Sequence, residues 1–371
     1  MAIANVLLVG YASIFDSRRP PLSRRCFPLP MIRRTDIPPQ MPLPLLITGI
    51  AGVPGYNAMA YFSAKYPGQV VGIRQVDNAR LVGPGVVPCN AEDRSGLARL
   101  FAKYQFAAVL DCAGNCALKQ CEVVPELAWR INVEGVRNLL SQTVPRGLRL
   151  VHLSCDLVFS GDDGRGGYME TDPTDPVTVY GQTMVAGEEA IAAADPGACI
   201  LRISLPMGVS FSGHAGAIDW ITSRFKKSRP ATLYLDEIRT PTYTDCLNRL
   251  CEAMLVGDFS GIYHAGGRRW LSLYQIAQII NRVGGYDPDC LMGIPRLQAG
   301  PIPPRAGNVC MDCSKLIAAL GGDPFDPWPY CDALVPTERD WHRERPRGEP
   351  RSPEQLHRVL ATNPKIAAEA A

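Results

Sequence analysis

The sequence of 371 residues contains no apolar run of 18 or more residues, so we expect no membrane-spanning helix. It also lacks a charge of dominant sign, with 38 Lys and Arg residues against 36 Asp and Glu residues. So balanced a surface argues against nucleic acid as a partner, because nucleic-acid binding depends on an excess of basic charge. Internal repeats are absent as well. These absences favour a protein that acts on small molecules.

Paired metal-binding motifs are also missing, although the chain has 13 cysteines. The cysteines are scattered and odd in number, which fits free thiols in a reducing compartment better than a disulfide framework. The one Cys-x-x-Cys motif, Cys310 to Cys313, has no second pair, so we expect no metal site. We therefore expect a cytoplasmic protein.

Residues 1–43 differ in composition from the rest of the chain. They contain several prolines, no lysine or glutamate, and six arginines: Arg18, Arg19, Arg24, Arg25, Arg33 and Arg34. An Arg-rich, acid-poor start is typical of an organelle transit peptide. The alternative is a disordered extension, with Met31 or Met41 as the real start of the protein. We interpret residues 1–43 as a disordered or targeting extension.

Folded structure is expected to begin with a short apolar strand at residues 44–48. The strand leads into the turn Gly-Ile-Ala-Gly-Val-Pro-Gly at residues 49–55, and a helix follows to about Ala64. Glycines at this spacing let the backbone approach a pyrophosphate, and the helix N-terminus supplies free amides and partial positive charge. Pro54 suits the first helical turn. The pattern predicts a dinucleotide-binding turn.

The second predicted strand, residues 69–73, ends in Arg74. An acidic residue near this point would bind the ribose 2′-hydroxyl of NAD, whereas a basic residue can accept the 2′-phosphate of NADP. Arg74 therefore favours NADP, with NAD as the alternative cofactor. The competing interpretation is an arginine that is merely solvated at the end of a strand.

Strands and helices alternate over residues 44–204, which predicts an α/β fold with a doubly wound parallel sheet, the Rossmann arrangement. The further elements are predicted at residues 95–104 (helix), 107–111 (strand), 124–142 (helix), 148–154 (strand), 180–194 (helix) and 198–203 (strand). Small residues after the strand at 107–111, namely Cys112, Ala113 and Gly114, leave room for a cofactor at the carboxyl edge. Asn132 interrupts an apolar helical stripe, and we assign it a structural role.

The regular alternation weakens after residue 204. Residues 205–320 are predicted to form a smaller α/β substrate-binding region that closes a cleft, with exchange of segments between the two regions left open. The Pro-rich and Arg-rich text of residues 321–371 predicts a tail.

Several motifs in this order carry a family resemblance. They are the glycine turn, Asn-Val-Glu-Gly at residues 132–135, Ser-Cys-Asp-Leu-Val-Phe at 154–159, Tyr-Gly-Gln-Thr-Met at 180–184 and Thr-Pro-Thr-Tyr at 240–243. Together with Arg305, this text resembles the dTDP-4-dehydrorhamnose reductases, members of the extended short-chain dehydrogenases/reductases. The resemblance covers residues 44–320 and implies an NAD(P)-dependent oxidoreductase of carbohydrate biosynthesis.

The resemblance implies specific roles for residues of this chain. Tyr180 matches the catalytic tyrosine, which donates a proton to a carbonyl oxygen. Met184 stands where the family has lysine, and Cys155 stands where it has a threonine or serine hydroxyl. The implied cofactor-binding residues are Gly49, Gly52, Val53, Gly55, Arg74, Cys112, Ala113 and Gly114. The implied substrate-binding residues are Asp156, Val158 and Arg305.

Two functions follow from an intact cofactor motif combined with an altered Tyr-x-x-x-Lys motif. The first is an NADP(H)-binding reductase homologue that acts on a nucleotide-linked 4-keto sugar with weakened catalysis. The second is a non-catalytic, nucleotide-binding regulatory subunit similar to the methionine adenosyltransferase β subunit. Whether the chain is an enzyme thus stays open, as does the choice between a homodimer and a different protein partner. A fold relic with neither function is a third interpretation.

Overall fold

A computed structural model describes residues 40–346, 348 and 351–369. The predicted N-terminal extension lies outside the described residues as far as residue 39. Among the helices of the described part, none is long and apolar enough to cross a membrane.

The described part contains 13 strands. In chain order they are β1 (Leu45–Ile47), β2 (Val70–Arg74), β3 (Val86–Pro88), β4 (Ala108–Asp111), β5 (Arg149–Cys155), β6 (Cys199–Ile203), β7 (Pro206–Met207), β8 (Ala231–Tyr234), β9 (Ile238–Arg239), β10 (Thr242–Tyr243), β11 (Gly261–Ala265), β12 (Leu271–Ser272) and β13 (Leu291–Ile294).

The same residues contain 12 α-helices. They are α1 (Val53–Lys65), α2 (Arg94–Tyr104), α3 (Leu118–Val123), α4 (Pro125–Trp129), α5 (Gly135–Thr143), α6 (Val179–Ala194), α7 (Ala217–Lys226), α8 (Thr244–Val256), α9 (Leu273–Val283), α10 (Ser314–Leu320), α11 (Pro353–Leu356) and α12 (Pro364–Glu369).

Seven strands form one parallel sheet in the order β11-β6-β5-β4-β1-β2-β3. The order reverses next to β1, as in doubly wound folds, where ligands bind outside the carboxyl ends of the strands. The predicted α/β fold with a doubly wound parallel sheet is confirmed. The seventh strand, β11, comes from beyond residue 204.

Helices cover both faces of the sheet because its strands are apolar on both sides. Leu45 and Ile47 of β1 face a core shared with α1, α7, α8 and α9, whereas Leu46 faces a core shared with α2, α5 and α6. Three small two-stranded sheets, β7–β10, β9–β12 and β8–β13, build the region beside the carboxyl edge.

Two local predictions differ from the structure. The predicted helix at 124–142 consists of α4 and α5, joined by a π-helical segment at Arg130–Glu134. Periodicity of 3.6 residues does not reveal an inserted π turn, and such turns are frequent at functional sites. The edge strand β3 also has no counterpart among the predictions, because its three residues include a proline and are partly exposed.

The segment after Gly321 contributes to the core, in contrast to the predicted tail. Trp328, Trp341 and Leu360 are buried, and the Trp328 indole donates a hydrogen bond of 2.8 Å to the carbonyl of Leu360. The composition predicts a tail because the buried apolar residues stand singly among prolines and arginines. Their spacing matches neither the period of a helix nor that of a strand.

Candidate active site

The glycine turn between β1 and α1 has three glycines with three different surroundings. Gly49 has a φ of +64°, and a Cβ there would lie 2.3 Å from the carbonyl oxygen of Cys112. A Cβ on Gly55 would lie 2.4 Å from the carbonyl oxygen of Gly49, so this glycine permits close packing of helix on turn. A Cβ on Gly52 would meet nothing closer than 3.5 Å. Of these three glycines, Gly52 is therefore the one that the packing of the protein itself does not require. A glycine at this position lets a ligand approach the backbone closely.

The N-terminus of α1 is a suitable place for an anion. Its N-cap, Gly52, offers no side-chain hydrogen bond, and the first turn contains no acidic residue. Val53 begins the helix and is buried, and a Cβ on Gly216 would lie 2.5 Å from Val53 Cγ2, so the loop before α7 passes beside this turn. The helix end therefore keeps its partial positive charge.

A buried polar network holds the turn after β4. The Asp111 carboxylate accepts hydrogen bonds from the Thr48 hydroxyl and, at 2.7 Å, pairs with Nδ1 of His152. Thr48 Oγ1 in turn accepts hydrogen bonds of 3.0 Å from the amides of Cys112 and Ala113. Burial would raise the pKa of Asp111, but the His152 and Thr48 contacts outweigh it and lower the pKa. The network fixes the backbone of residues 112–114, which the resemblance assigns to the cofactor.

The sequence interpretation missed this network, although a signal was present. Asp111 ends an apolar strand and His152 lies inside another, and such isolated polar residues in buried strands need partners. His152 Nε2 is buried without a hydrogen-bond partner among the described residues.

Arg74 lies at the end of β2, where a 2′-phosphate would be bound. Its Nη1 donates hydrogen bonds to the carbonyls of Gln75 and Val76, at 2.9 and 3.1 Å. Its Nε is buried and has no partner among the described residues. The glycine turn, the uncapped helix and this unused donor fit a dinucleotide with a 2′-phosphate.

Tyr180, Cys155 and Met184 come together in an apolar cluster beyond the carboxyl end of β5. They are 9%, 7% and 3% exposed, and they pack with Cys121, Ala128, Leu157, Val158, Phe159, Ala306, Val309 and Met311. Tyr180 and Cys155 thus lie in the same buried cluster as Met184. Burial raises the pKa of Cys155 to about 12, and burial and the neighbouring Cys155 raise the pKa of Tyr180 well above its ordinary value.

Helix α6 carries Tyr180 and Met184 and is anchored at both ends of this stretch. The Thr178 hydroxyl caps the helix by accepting a hydrogen bond of 3.0 Å from the Gly181 amide. Glu188, further along, accepts a hydrogen bond of 2.5 Å from Ser154 and pairs with Arg202 at 2.7 Å. These contacts fix the tyrosine relative to strands β5 and β6.

The π-helical segment adds a third anchor to α6. Asn132 Nδ2 donates a hydrogen bond of 2.8 Å to the Thr183 hydroxyl, and its Oδ1 accepts one of 2.6 Å from the Asn115 amide. Asn132 thus ties α6 to the loop after β4 instead of to the backbone of a strand, and its structural rather than catalytic role stays a prediction.

Asp156 and Val158 follow β5 and are fully buried. The Asp156 carboxylate accepts hydrogen bonds of 2.6 and 2.5 Å from Nε and Nη2 of Arg239, and one of 2.6 Å from the Ser204 hydroxyl. Arg239 also lies 3.7 Å from Glu237, which pairs with Arg305 at 2.7 Å. Glu237 and Arg239 were not among the predicted residues. The Asp156 carboxylate is thus engaged within the protein, and a direct role for it in substrate binding stays a prediction.

No group of three or more His, Cys, Asp or Glu side chains in the described part of the chain is arranged to hold a metal ion. Cys310 is buried, and the Cys313 thiol lies 3.2 Å from the Gly266 amide.

Comparison with protein families matches the RmlD substrate binding domain to residues 44–331. The chain belongs to this family. It is 33% identical over 248 residues to a dTDP-4-dehydrorhamnose reductase of Streptomyces griseus, covering 64% of this chain and 78% of that protein. It is also 25% identical over 257 residues to methionine adenosyltransferase 2 subunit beta of Danio rerio, covering 68% and 78%.

A solved structure of a dTDP-4-dehydrorhamnose reductase shares the fold. The dTDP-4-dehydrorhamnose reductase of Bacillus anthracis, solved in complex with NADP, superposes with a TM-score of 0.66 at 20% identity, covering 76% of this chain and 95% of that one. This RmlD family member therefore has the fold of that reductase.

Proposed function

We propose that the protein binds NADP(H) and reduces a nucleotide-linked 4-keto sugar slowly. The observation that carries this proposal is the contrast between an open cofactor turn at Gly52 and a Tyr180 side chain that is buried in an apolar cluster with Cys155 and Met184. Its relatives among the dTDP-4-dehydrorhamnose reductases supply the substrate class.

The residues that would hold the cofactor are the glycine turn, the backbone of residues 112–114 and Arg74. When bound, NADPH supplies hydride to the carbonyl carbon of the sugar. Tyr180, protonated at neutral pH because its pKa is raised by burial, donates the proton that the carbonyl oxygen needs. The thiol of Cys155, which packs in the same cluster, is only a weak donor.

We expect slow turnover because Met184 places no cation beside Tyr180. A lysine at position 184 would lower the tyrosine pKa and so make it a better proton donor, and Met184 cannot do so. Loss of acid–base assistance of this kind typically lowers rates by about 10² to 10⁴. Efficient alcohol oxidation is not expected, since it requires the ionised tyrosine.

The second candidate is a nucleotide-binding regulatory subunit without turnover. The specific observation in its favour is that Tyr180, Cys155 and Met184 belong to one buried apolar cluster. The methionine adenosyltransferase β subunits among the relatives support a protein partner for this case. In either case we propose a cytoplasmic location, because the 12 cysteines in the described part are all free.

Reduction of a dTDP-linked 4-keto-6-deoxy sugar by NADPH, followed in the wild type and in Tyr180→Phe, tests the proposal. We expect slow oxidation of NADPH that disappears in Tyr180→Phe. NADPH binding without any turnover would select the regulatory function. Turnover at tens per second would contradict weakened catalysis.

A further inference from the structure

The guanidinium of Arg305 is held on two sides. Its Nε and Nη2 lie 2.8 and 2.7 Å from Oε2 of Glu237, and its plane lies over the Tyr234 ring, 4.5 Å from the ring centroid. Its carbonyl oxygen accepts a hydrogen bond of 2.9 Å from Nη1 of Arg296, which restrains the backbone as well. The orientation of this side chain is therefore set before any ligand arrives.

One edge of the same guanidinium remains available. Nη1 of Arg305 contacts no acceptor among the described residues, and the side chain is 13% exposed. A guanidinium has five donors in a fixed plane and binds phosphate oxygens along an edge. An arginine whose inner edge and face are already occupied presents its outer edge in one direction only.

Glu237 can hold Arg305 because it is itself fixed. Its side chain is 1% exposed, and its other oxygen, Oε1, lies 3.7 Å from Nη1 of Arg239. Arg239 is bound in turn by Asp156, which follows Cys155 directly in the chain. Four buried or nearly buried charges of alternating sign thus join the end of strand β5 to the substrate side of the site.

We propose that Glu237 is a positioning residue, which aims the outer edge of Arg305 at the diphosphate of a nucleoside-diphosphate ligand, with Arg239 holding Glu237 in place. This inference rests on the proposed function for the class of ligand. Because the arginine is already ordered, binding of the ligand does not have to include the entropy cost of ordering that side chain. A buried carboxylate beside an anion site would weaken anion binding if its charge alone mattered, so its contribution lies in geometry.

Two substitutions separate geometry from charge. Glu237→Asp keeps the charge but shortens the side chain by one methylene group, so it no longer reaches Arg305. Glu237→Gln keeps the reach and one acceptor oxygen but loses the charge. Binding of thymidine, uridine and guanosine diphosphates is measured by calorimetry, and NADPH binding is titrated in the same proteins.

We expect Glu237→Asp to weaken diphosphate binding by about tenfold or more, as loss of a charge-assisted contact implies, and Glu237→Gln to weaken it less. Arg305→Lys retains the positive charge but removes the guanidinium edge, so it should weaken diphosphate binding as much as Glu237→Asp does. Because Arg305 is partly exposed, this variant tests the inference even if Glu237→Asp is unstable. Asp323→Asn is the matched control, because this carboxylate pairs with Arg268 and contacts none of Arg305, Arg296 and Arg239.

Unchanged binding in both Glu237→Asp and Arg305→Lys would overturn the inference. So would tighter binding in Glu237→Gln than in the wild type, or no binding of any of the three diphosphates at millimolar concentration. A failure to bind NADPH would refute the proposed function separately, because Glu237 lies outside the cofactor turn.

Discussion

Tyr180 and Cys155 are buried together in one apolar cluster, which also contains Met184. Neither partner is charged at neutral pH, since burial raises the pKa of both groups. The tyrosine is therefore a proton donor without the cation that the resemblance leads one to expect.

Met184→Lys should raise the rate of keto-sugar reduction, and adding Cys155→Thr should raise it further. Acid–base assistance of this kind is worth about 10² to 10⁴ in rate, and the two effects need not be additive. Met184→Leu, which keeps the site apolar, is the control and should leave the rate low. A single-turnover assay with NADPH measures all four proteins.

The Met184→Lys substitution should lower thermal stability. Met184 is buried, and moving the ammonium group of a lysine from water to this position costs roughly several kcal/mol of folding free energy unless the group is paired. A melting curve with and without NADPH would show the loss and its partial recovery if the cofactor contacts the new lysine. An unchanged melting temperature would mean that position 184 is open to solvent.

In the wild type, the rate of reduction should not decrease through ionisation of Tyr180 between about pH 6 and 10. This range lies below the ordinary pKa of a tyrosine. Burial raises the pKa of Tyr180, so the proton that it donates stays bound throughout this range. A cation in Met184→Lys would lower that pKa, and the rate should then fall at lower pH than in the wild type. An alkaline decrease near pH 8 in the wild type would contradict the raised pKa.

Gly52→Ala and Gly55→Ala should fail in different ways. At Gly52 the new Cβ meets only an ordinary contact of 3.5 Å, so the protein should fold normally but bind NADPH at least about tenfold more weakly. At Gly55 the Cβ would lie 2.4 Å from the Gly49 carbonyl oxygen, and such overpacking costs about 1 to 3 kcal/mol of stability. Thermal melting and NADPH titration of both variants distinguish the roles; equal melting temperatures would argue against them.

Cys155 should resist alkylation in the folded protein. It is buried with a pKa of about 12, whereas Cys331 is exposed. Iodoacetamide reacts with the thiolate, so peptide mass spectrometry at pH 8 should find Cys331 modified first and Cys155 modified only after unfolding. Comparable rates at the two positions would show that the Tyr180 cluster opens readily.

The sequence allows prediction of the parallel sheet, because its strands are short apolar runs separated by helical periods, and of the glycine turn, whose spacing is local. The Asp111–His152 pair could not be predicted in the same way, because its two members are 41 residues apart in the sequence. Glu237 and Arg239 could not be predicted either, because they meet Arg305 and Asp156 only in the folded chain. The π turn around Asn132 and the burial of Trp328 and Trp341 likewise depend on packing that no period in the sequence records.

Fluorescence titration of the wild-type protein with NADPH and NADH tests the central claim most directly, because an intact cofactor turn beside a weakened catalytic centre requires binding before turnover. We expect saturable NADPH binding that is tighter than NADH binding, with the difference removed by Arg74→Ala. No binding of either cofactor at millimolar concentration would contradict the account.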